Sequence, residues 1–325
     1  MSQTTARAFW LRPPGESAIL EESLCPIGDG EVEVRTRYTA VSRGTETLVY
    51  SGAVPESEYA RMRAPFQAGE LPGQVKHGYA NVGDVTHGPD ALLGRTVFCL
   101  YPHQTRYRVA AEAVIPLPES VPPERGVLAA NMETALNALW DACAGPGDAI
   151  TIVGAGVIGG LIAGLCAQLP GAQVELVDID LHKACLGPAL GVHFRTPEQA
   201  SPGRDLVIHA SATPAGLNTA LSLAGFEATV LEMSWYGSRP IAVELGGAFH
   251  SQRLTLRSSQ VGALSPSHRP RWDHRRRLAK ALDLLADARF DALIDAEADF
   301  EDLPDVMQRL VDPADRTLCQ RIRYA

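Results

Sequence analysis

A glycine-rich turn between two apolar runs, within residues 149–180, constrains the fold of this chain more than any other feature. The first apolar run is 149–153, and the second, 173–178, ends in Asp178, about 20 residues beyond the last glycine of the turn. The turn itself consists of Gly154-Ala155-Gly156-Val157-Ile158-Gly159. This order of strand, glycine turn, small-residue helix and strand predicts a βαβ unit that binds a dinucleotide.

Each part of the motif has an expected task in binding. The glycines allow a tight turn, close approach to a pyrophosphate and close helix packing, and the helix that begins near Val157 and Ile158 points its free N–H groups at the phosphates. Asp178 is expected to accept the ribose hydroxyls and to repel a 2′-phosphate. No arginine stands in the following residues 179–183, so the sequence favours NAD over NADP.

Composition limits the classes of function. With 325 residues the chain is long enough for two domains, and its net charge of −9 argues against a general nucleic-acid binder. The apolar stretches are too short to span a bilayer, and the N-terminus lacks the apolar core of a signal peptide. Six scattered cysteines without a CxxC pair fit a reducing cytoplasm, with neither disulfides nor a thiolate zinc site.

The pattern along the chain predicts an α/β protein with a β-rich beginning. Predicted strands lie at 6–11, 31–41, 78–85, 95–100 and 105–109, with a short polar helix at 56–63 and a longer helix at 125–142. Strands then alternate with helices: strands at 149–153, 173–178, 205–209, 228–232 and 254–257, helices at 155–169, 214–224 and 271–287. The remaining predicted elements are a strand at 292–300, a helix at 303–310 and a strand at 317–324. The fold class is therefore a doubly wound parallel sheet with a second, β-rich domain.

This layout resembles the medium-chain dehydrogenase/reductase superfamily over nearly the whole chain. Three motifs, 41–46 (VSRGTE), 77–83 (HGYANVG) and 258–262 (SSQVG), are similar to those of its bacteriochlorophyllide-dehydrogenase-like branch. The resemblance implies a GroES-like catalytic domain over residues 1–124 and 291–325, and a Rossmann dinucleotide-binding domain over residues 125–290. It also implies an alcohol dehydrogenase-like oxidoreductase that acts on a small molecule and pairs into homodimers.

The resemblance further implies that the catalytic zinc of many members is missing. At the three positions where zinc-dependent members carry metal ligands, this chain has Arg43, Tyr79 and Ala130. A catalytic zinc needs three N, S or O ligands and one open position, which these side chains do not supply. A second register, in which Ser42 matches the first ligand, places Arg43 at the cofactor pyrophosphate and restores no ligand either. We therefore expect a zinc-free enzyme.

By the same resemblance, three residues are candidates for the reacting centre. Arg43 is expected to place a cation where zinc would lie, as an electrostatic stabiliser or as a clamp for a substrate carboxylate. Thr45 matches a hydroxyl that relays a proton, and Tyr79 offers a phenol as hydrogen-bond donor or acid. The competing interpretations are that Arg43 only pairs with Glu46 and that Tyr79 is a packed aromatic residue. Two further candidates, as bases or as ordinary loop residues, are His77 and His103.

Other cofactor contacts are expected from loops after the later strands, where ligands bind in such sheets. The resemblance assigns them to Thr134, Ser211, Thr213, Trp235, Tyr236 and Ser259. It also matches Lys183 to a family lysine that reaches the adenosine ribose; the competing interpretation is a solvated lysine at a helix start. The basic segment 268–277 is either a solvated helix face or a patch that attracts an acidic substrate. Two other functions stay open: an NADPH-dependent quinone- or enoyl-type reductase, and a non-catalytic NAD-binding protein.

Overall fold

The computed structural model describes residues 4–325, in which strands and helices alternate as follows. The strands are β1 (Thr5–Arg12), β2 (Glu16–Ser23), β3 (Glu31–Val41), β4 (Ala68–Gly69), β5 (Val75–Lys76), β6 (Asn81–His87), β7 (Thr96–Cys99), β8 (Arg106–Ala110), β9 (Ile115–Pro116), β10 (Ala149–Val153), β11 (Gln173–Val177), β12 (His193–Arg195), β13 (Arg204–His209), β14 (Ala224–Glu232), β15 (Thr255–Ser258), β16 (Ala296–Asp299) and β17 (Gln320–Arg323). The α-helices are α1 (Arg43–Tyr50), α2 (Pro123–Gly126), α3 (Ala129–Ala142), α4 (Val157–Cys166), α5 (Leu186–Leu190), α6 (Pro214–Leu223), α7 (His274–Leu284) and α8 (Leu303–Leu310).

The first compact unit combines both ends of the chain. It contains the residues up to Ala130 together with Ile294–Ala325. One sheet has the order β16-β17-β3-β6-β7-β9, with β8 also paired to β3, and a second sheet has the order β2-β1-β5-β4. The C-terminal strand β17 runs antiparallel to β3, so that Gln320 faces Val41. This pairing anchors the end of the chain beside the segment that carries the motif 41–46.

The second unit, Asn131–Leu293, is built around a parallel sheet of six strands. Their order is β12-β11-β10-β13-β14-β15, which in chain order is the 3-2-1-4-5-6 arrangement of a doubly wound sheet. Apolar residues of the strands and of α6 form a common core: Val153, Val177, Val207, Leu217, Ala220 and Val230. The strand order reverses between β10 and β13, and ligands of such sheets bind where it reverses.

Helix α4 carries glycines where it packs closely against neighbouring residues of the second unit. A Cβ on Gly160 would lie 2.4 Å from Leu293 Cδ2, and one on Gly164 would lie 2.6 Å from Phe290 Cε1. Leu161 and Ile162 are fully buried on the same helix. The small residues that suggested a nucleotide-binding helix therefore serve tight packing around the whole helix.

Several elements of the structure differ in extent from the elements that the sequence predicts. The helix expected at 56–63 is only a 3-10 turn over Glu56–Glu58, and the helix expected at 125–142 is divided into α2 and α3. Strand β2 was not expected, because its acidic residues mask the apolar pattern; it forms a hairpin with β1. The expected strand at 292–300 begins later, at Ala296, after a 3-10 segment over Ala288–Leu293. The domain limits expected at 124/125 and 290/291 stay a prediction.

Candidate functional site

The glycine turn of the second unit has the shape that a pyrophosphate requires. Gly154 has φ +112°, and a Cβ there would lie 2.7 Å from the backbone nitrogen of Ser211. A Cβ on Gly159 would lie 1.8 Å from the carbonyl oxygen of Gly154. Any side chain at this position would therefore collide with the turn, and only glycine allows α4 to begin so close to it. A Cβ on Gly156 would meet nothing within 4 Å, so there is open space beside that backbone. Val157 and Ile158 begin α4, whose first N–H groups have no helical acceptor. These residues fit a dinucleotide phosphate.

Asp178 follows β11 and holds this turn. Its Oδ2 atom accepts a hydrogen bond from the Ala155 N–H at 2.7 Å, and its Oδ1 atom accepts one from the Asp180 N–H at 2.9 Å. The Nζ atom of Lys183 also donates to Asp178 Oδ2, at 3.0 Å. Lys183 is therefore tied to Asp178 rather than extended into solvent. The expected contacts of both side chains with a ribose stay predictions.

A hydrogen-bonded network follows strands β13 and β14 in the second unit. His209 Nδ1 lies 2.7 Å from Glu232 Oε2, and His209 Nε2 lies 2.6 Å from Ser211 Oγ. The Ser211 and Thr213 hydroxyl oxygens are 3.0 Å apart, and the Tyr236 hydroxyl donates to Glu232 Oε2 at 2.9 Å. The structure thus brings together three of the residues predicted to contact the cofactor, Ser211, Thr213 and Tyr236.

The histidine and the glutamate of this network were not predicted. They end neighbouring parallel strands, and the strand register pairs His209 with Glu232. Burial alone would raise the pKa of Glu232, but the hydrogen bonds from His209 and Ser234 outweigh burial, and the pKa is lowered. Burial and the charge of Glu232 raise the pKa of Tyr236. A polar residue at the end of an apolar strand is the only signal that the sequence carried for them.

The other predicted cofactor residues of this unit lie at the same edge or on α3. Trp235 is partly exposed directly after β14. Ser259 follows β15 and donates through its hydroxyl to Asp141 Oδ2 at 2.7 Å. Because β14 and β15 are parallel neighbours, their ends bring these residues to one edge of the sheet. Thr134 lies on α3, and its expected contact with the cofactor stays a prediction.

The basic segment 268–277 is not uniformly solvated. Arg277 is 1% exposed, and its guanidinium donates to Glu133 Oε1 at 2.9 Å and to Asn137 Oδ1 at 2.7 Å, both on α3. It also donates to the carbonyl of Val261, which follows β15. The expectation of a solvated helix face is therefore wrong for Arg277, while Arg269, Arg271, Arg275 and Arg276 are exposed.

We expect an Arg277→Met substitution to lower the free energy of unfolding by about 3–5 kcal/mol, because Glu133 would stay buried without its partner. Urea unfolding followed by circular dichroism would measure the loss. The exposed Arg269→Met variant is the matched control and is expected to change stability by about 0.5 kcal/mol or less. Equal unfolding midpoints for the two variants would contradict the assignment.

In the first unit, Arg43 is bound to the C-terminal part of the chain. Its Nε donates to the carbonyl of Leu310, its Nη1 to that of Thr317 and its Nη2 to that of Asp312, each at 3.1 Å. An ion pair with Asp315 at 3.7 Å completes the set. The competing interpretation that Arg43 pairs with Glu46 is wrong, because the Glu46 carboxylate has other partners. These contacts give Arg43 a structural role, and its expected role at the reacting centre stays a prediction.

Glu46 belongs to a buried chain of polar groups. Its Oε1 accepts a hydrogen bond from the Ser42 N–H at 2.7 Å, and its Oε2 lies 2.9 Å from His103 Nε2. His103 Nδ1 is in turn 2.7 Å from Thr39 Oγ1, which lies 3.2 Å from the Tyr324 hydroxyl. Burial pushes the pKa of Glu46 upward, but His103 and the Ser42 N–H outweigh burial, and the pKa is lowered. His103 is thus a satisfied buried histidine rather than a free base.

Tyr79 lies beside this chain in a cluster of hydroxyl groups. Its hydroxyl donates to Ser42 Oγ at 2.6 Å and is hydrogen-bonded to the Thr45 side chain. Burial and the charge of Glu46 raise the pKa of Tyr79 to about 12. The ring also packs edge-on against His77, with centroids 5.9 Å apart, and burial lowers the pKa of His77. The structure brings Thr45 and Tyr79 together as predicted and adds Ser42 to them.

The donor set at the three expected metal positions does not fit zinc. Arg43 is a cation engaged with carbonyl oxygens, Tyr79 keeps its proton, and Ala130 is a buried methyl group with no donor atom. Within residues 4–325, no group of three or more His, Cys, Asp or Glu side chains is arranged to hold a metal ion.

None of the helices over the same residues has the length and apolar character needed to cross a membrane.

Comparisons with known proteins identify the fold of the chain through solved structures. No protein-family model matches the chain, and no curated protein matches it. L-idonate 5-dehydrogenase from Escherichia coli superimposes with a TM-score of 0.81, at 16% identity, over 99% of each chain. A dehydrogenase from Sinorhizobium meliloti, described as zinc-binding and bound to NADP, gives 0.76 at 16% identity, over 99% of this chain and 100% of its own. An alcohol dehydrogenase from E. coli in complex with NADH also gives 0.76 at 16% identity, over 98% and 99%.

These likenesses confirm the fold that the resemblance implied. The chain shares the fold of these dehydrogenases, with β-rich sheets in the first unit and a doubly wound parallel sheet in the second. Identities of 16% support the fold and leave the narrower branch a prediction.

Proposed function

We propose that this protein is a zinc-independent, NAD(H)-dependent oxidoreductase that interconverts an alcohol and a carbonyl by hydride transfer. The observation that carries the proposal is the glycine turn, held by Asp178 beside the point where the strand order of the second unit reverses. The similar solved structures include L-idonate 5-dehydrogenase and a butanediol dehydrogenase from Bacillus subtilis, which support chemistry on hydroxyl groups.

The preference for NAD rests on the Asp178 carboxylate. Its oxygens are already fixed by backbone N–H groups, so the negative charge stays at the end of β11, where an adenosine ribose is bound in this fold. A 2′-phosphate would meet that charge, and Lys183 offsets only part of it because it is bound to the same carboxylate. Solved structures of this fold in complex with NADP and with NADH show that the fold itself accepts both cofactors.

We expect NADH to bind about tenfold more tightly than NADPH, which corresponds to about 1.4 kcal/mol. Fluorescence titration of the purified protein with each dinucleotide measures the ratio. The Asp178→Asn variant removes the charge but keeps an oxygen for the Ala155 N–H, so the ratio should fall toward one. Tighter binding of NADPH by the natural chain would overturn the cofactor assignment, and binding of neither would overturn the proposed function.

Tyr79 is proposed to handle the proton of the reaction. A bound nicotinamide dinucleotide supplies or takes up the hydride, and reduction leaves negative charge on the carbonyl oxygen. With its pKa raised to about 12, the Tyr79 phenol keeps its proton at neutral pH and is still a stronger acid than the alcohol that its proton would form from an alkoxide. It can therefore donate to the oxygen as charge develops there. The hydroxyls of Ser42 and Thr45 hold the phenol and can turn to donate to the phenolate that remains.

The chemistry of these residues supports the proposed zinc independence. A hydrogen-bond donor takes the task of the metal, and donors of this kind contribute on the order of 3 kcal/mol to transition-state stabilisation. The substrate is expected to be a small molecule, with an acidic one favoured by the exposed arginines of the segment 268–277. The six cysteines, all unpaired within residues 4–325, fit a reducing cytoplasm.

The expected homodimer has one supporting feature in the second unit. Strand β15 lies at the edge of the six-stranded sheet, and all four of its residues are exposed. An exposed sheet edge offers unpaired backbone groups to a second strand. We propose this edge as the contact between two copies of the chain.

A further inference from the structure

A continuous chain of hydrogen bonds runs through the second unit from the first turn of α6 to the end of β14. The Gly216 N–H donates to Thr213 Oγ1 at 3.0 Å, and Thr213 Oγ1 lies 3.0 Å from Ser211 Oγ. Ser211 Oγ lies 2.6 Å from His209 Nε2, and His209 Nδ1 lies 2.7 Å from Glu232 Oε2. His209 is fully buried, so no solvent competes for its two nitrogens.

The carboxylate at the end of this chain determines where each proton lies. Glu232 is kept ionised, and its oxygens already accept from the Ser234 N–H at 2.7 Å and from the Tyr236 hydroxyl at 2.9 Å. An ionised carboxylate only accepts, so the proton of a neutral His209 must lie on Nδ1. Nε2 is then an acceptor, and Ser211 must donate its proton to it. Toward any group other than His209, the Ser211 oxygen can therefore act only as a hydrogen-bond acceptor.

This acceptor lies against the glycine turn. Ser211 is half-buried just beyond β13, next to β10, and its backbone nitrogen is within 2.7 Å of the position of a Cβ on Gly154. The Thr213 hydroxyl takes up one lone pair of Ser211 Oγ, which leaves one for a ligand. The sugar hydroxyls of a dinucleotide are the groups near such a turn that carry a proton to donate.

We propose that Glu232 and His209 are positioning residues, which orient the Ser211 hydroxyl so that its oxygen accepts a hydrogen bond from a ribose hydroxyl of the dinucleotide. The inference rests on the proposed function, because it assumes that the second unit binds a dinucleotide. It assigns a role to two residues that no sequence motif marked, and it explains why a buried histidine and a glutamate end adjacent strands here.

The Glu232→Gln substitution tests the orientation with little change in shape. The Ser234 N–H belongs to the backbone and cannot turn away, so the amide oxygen of Gln must face it and the amide nitrogen must face His209. His209 Nδ1 then becomes an acceptor, and its proton moves to Nε2. Ser211 is forced to accept from Nε2–H and turns its own proton toward the ligand. We expect ¹⁵N NMR to show this change of tautomer, and the Kd for NADH to rise about tenfold.

Two further variants show whether the effect passes through Ser211. Ser211→Ala removes the acceptor and should weaken NADH binding by a similar factor, whereas the double variant Glu232→Gln/Ser211→Ala should bind no more weakly than Ser211→Ala alone. Glu227→Gln is the matched control, since Glu227 lies on the same strand but is exposed and paired with Arg253 at 2.8 Å. It should leave both the tautomer and the Kd unchanged.

The outcomes separate this inference from the proposed function. If the natural chain binds NADH and Glu232→Gln binds it equally well, the positioning role is overturned while the proposed function stands. A His209 proton that stays on Nδ1 in Glu232→Gln, or losses that add in the double variant, also overturn it. A natural chain that binds no dinucleotide overturns both, and that result needs no variant.

Discussion

Replacing Gly159 with valine is expected to abolish measurable dinucleotide binding. Even the first carbon of the new side chain would lie 1.8 Å from the Gly154 carbonyl oxygen, which is backbone and cannot give way. The turn must move away from α4, and the helix N-terminus then no longer points at the phosphates. We expect the Kd for NADH to rise about 100-fold or more, with a loss of stability typical of overpacking, about 1–3 kcal/mol.

Two other glycines of the second unit provide the comparison. Gly246→Ala places its Cβ where nothing lies within 4 Å, so it should leave both binding and stability unchanged. Gly156→Ala also meets no protein atom, yet its methyl group would enter the space beside the turn. It should therefore weaken NADH binding without loss of stability. If Gly159→Val binds NADH like the natural chain, the turn does not hold the dinucleotide.

Removing the hydroxyl of Tyr79 is expected to lower the turnover number about 100- to 1,000-fold, the usual loss when a proton donor or an oxyanion partner is removed. The Tyr79→Phe variant keeps the ring and its packing against His77, so the fold should be retained. Reduction of a panel of aldehydes and ketones, followed by NADH absorbance, would measure the effect once a substrate is found.

The control for this variant is Tyr50→Phe. Tyr50 lies in the same unit, and its hydroxyl donates to the Gly15 carbonyl at 2.6 Å, so it loses a comparable hydrogen bond. Its turnover should stay close to that of the natural chain. Treatment of the natural chain with a chelator should also leave turnover intact, whereas stoichiometric zinc in active protein would contradict the role given to Tyr79.

The βαβ unit with the glycine turn was predictable because its sequence signals lie within one short segment. The apolar run 149–153, the glycines and Asp178 all lie within one βαβ unit, so their spacing along the chain is enough to predict it. The network of His209 and Glu232 was not predictable in the same way. It depends on β13 and β14 being adjacent and in register, which is a property of the sheet rather than of either segment.

Arg43 and Arg277 illustrate the opposite problem. Arg43 stands in a motif that suggested chemistry, but its partners are carbonyl groups of the segment 310–317, far along the chain. Arg277 stands in a basic cluster that suggested solvent, but α3 supplies a buried carboxylate for it. In both cases the side chain's role is decided by a distant segment, and one arginine in a sequence does not show which segment it will meet.

The hydrogen bond from the Ala155 N–H to Asp178 has a consequence for engineering. The acid that we propose to discriminate between the two dinucleotides also holds the glycine turn in shape. If the proposed function holds, an attempt to change the preference to NADP by simple truncation of this side chain is therefore expected to lower the affinity for either dinucleotide. A redesign that succeeds must restore an acceptor for that amide before it introduces any new cation.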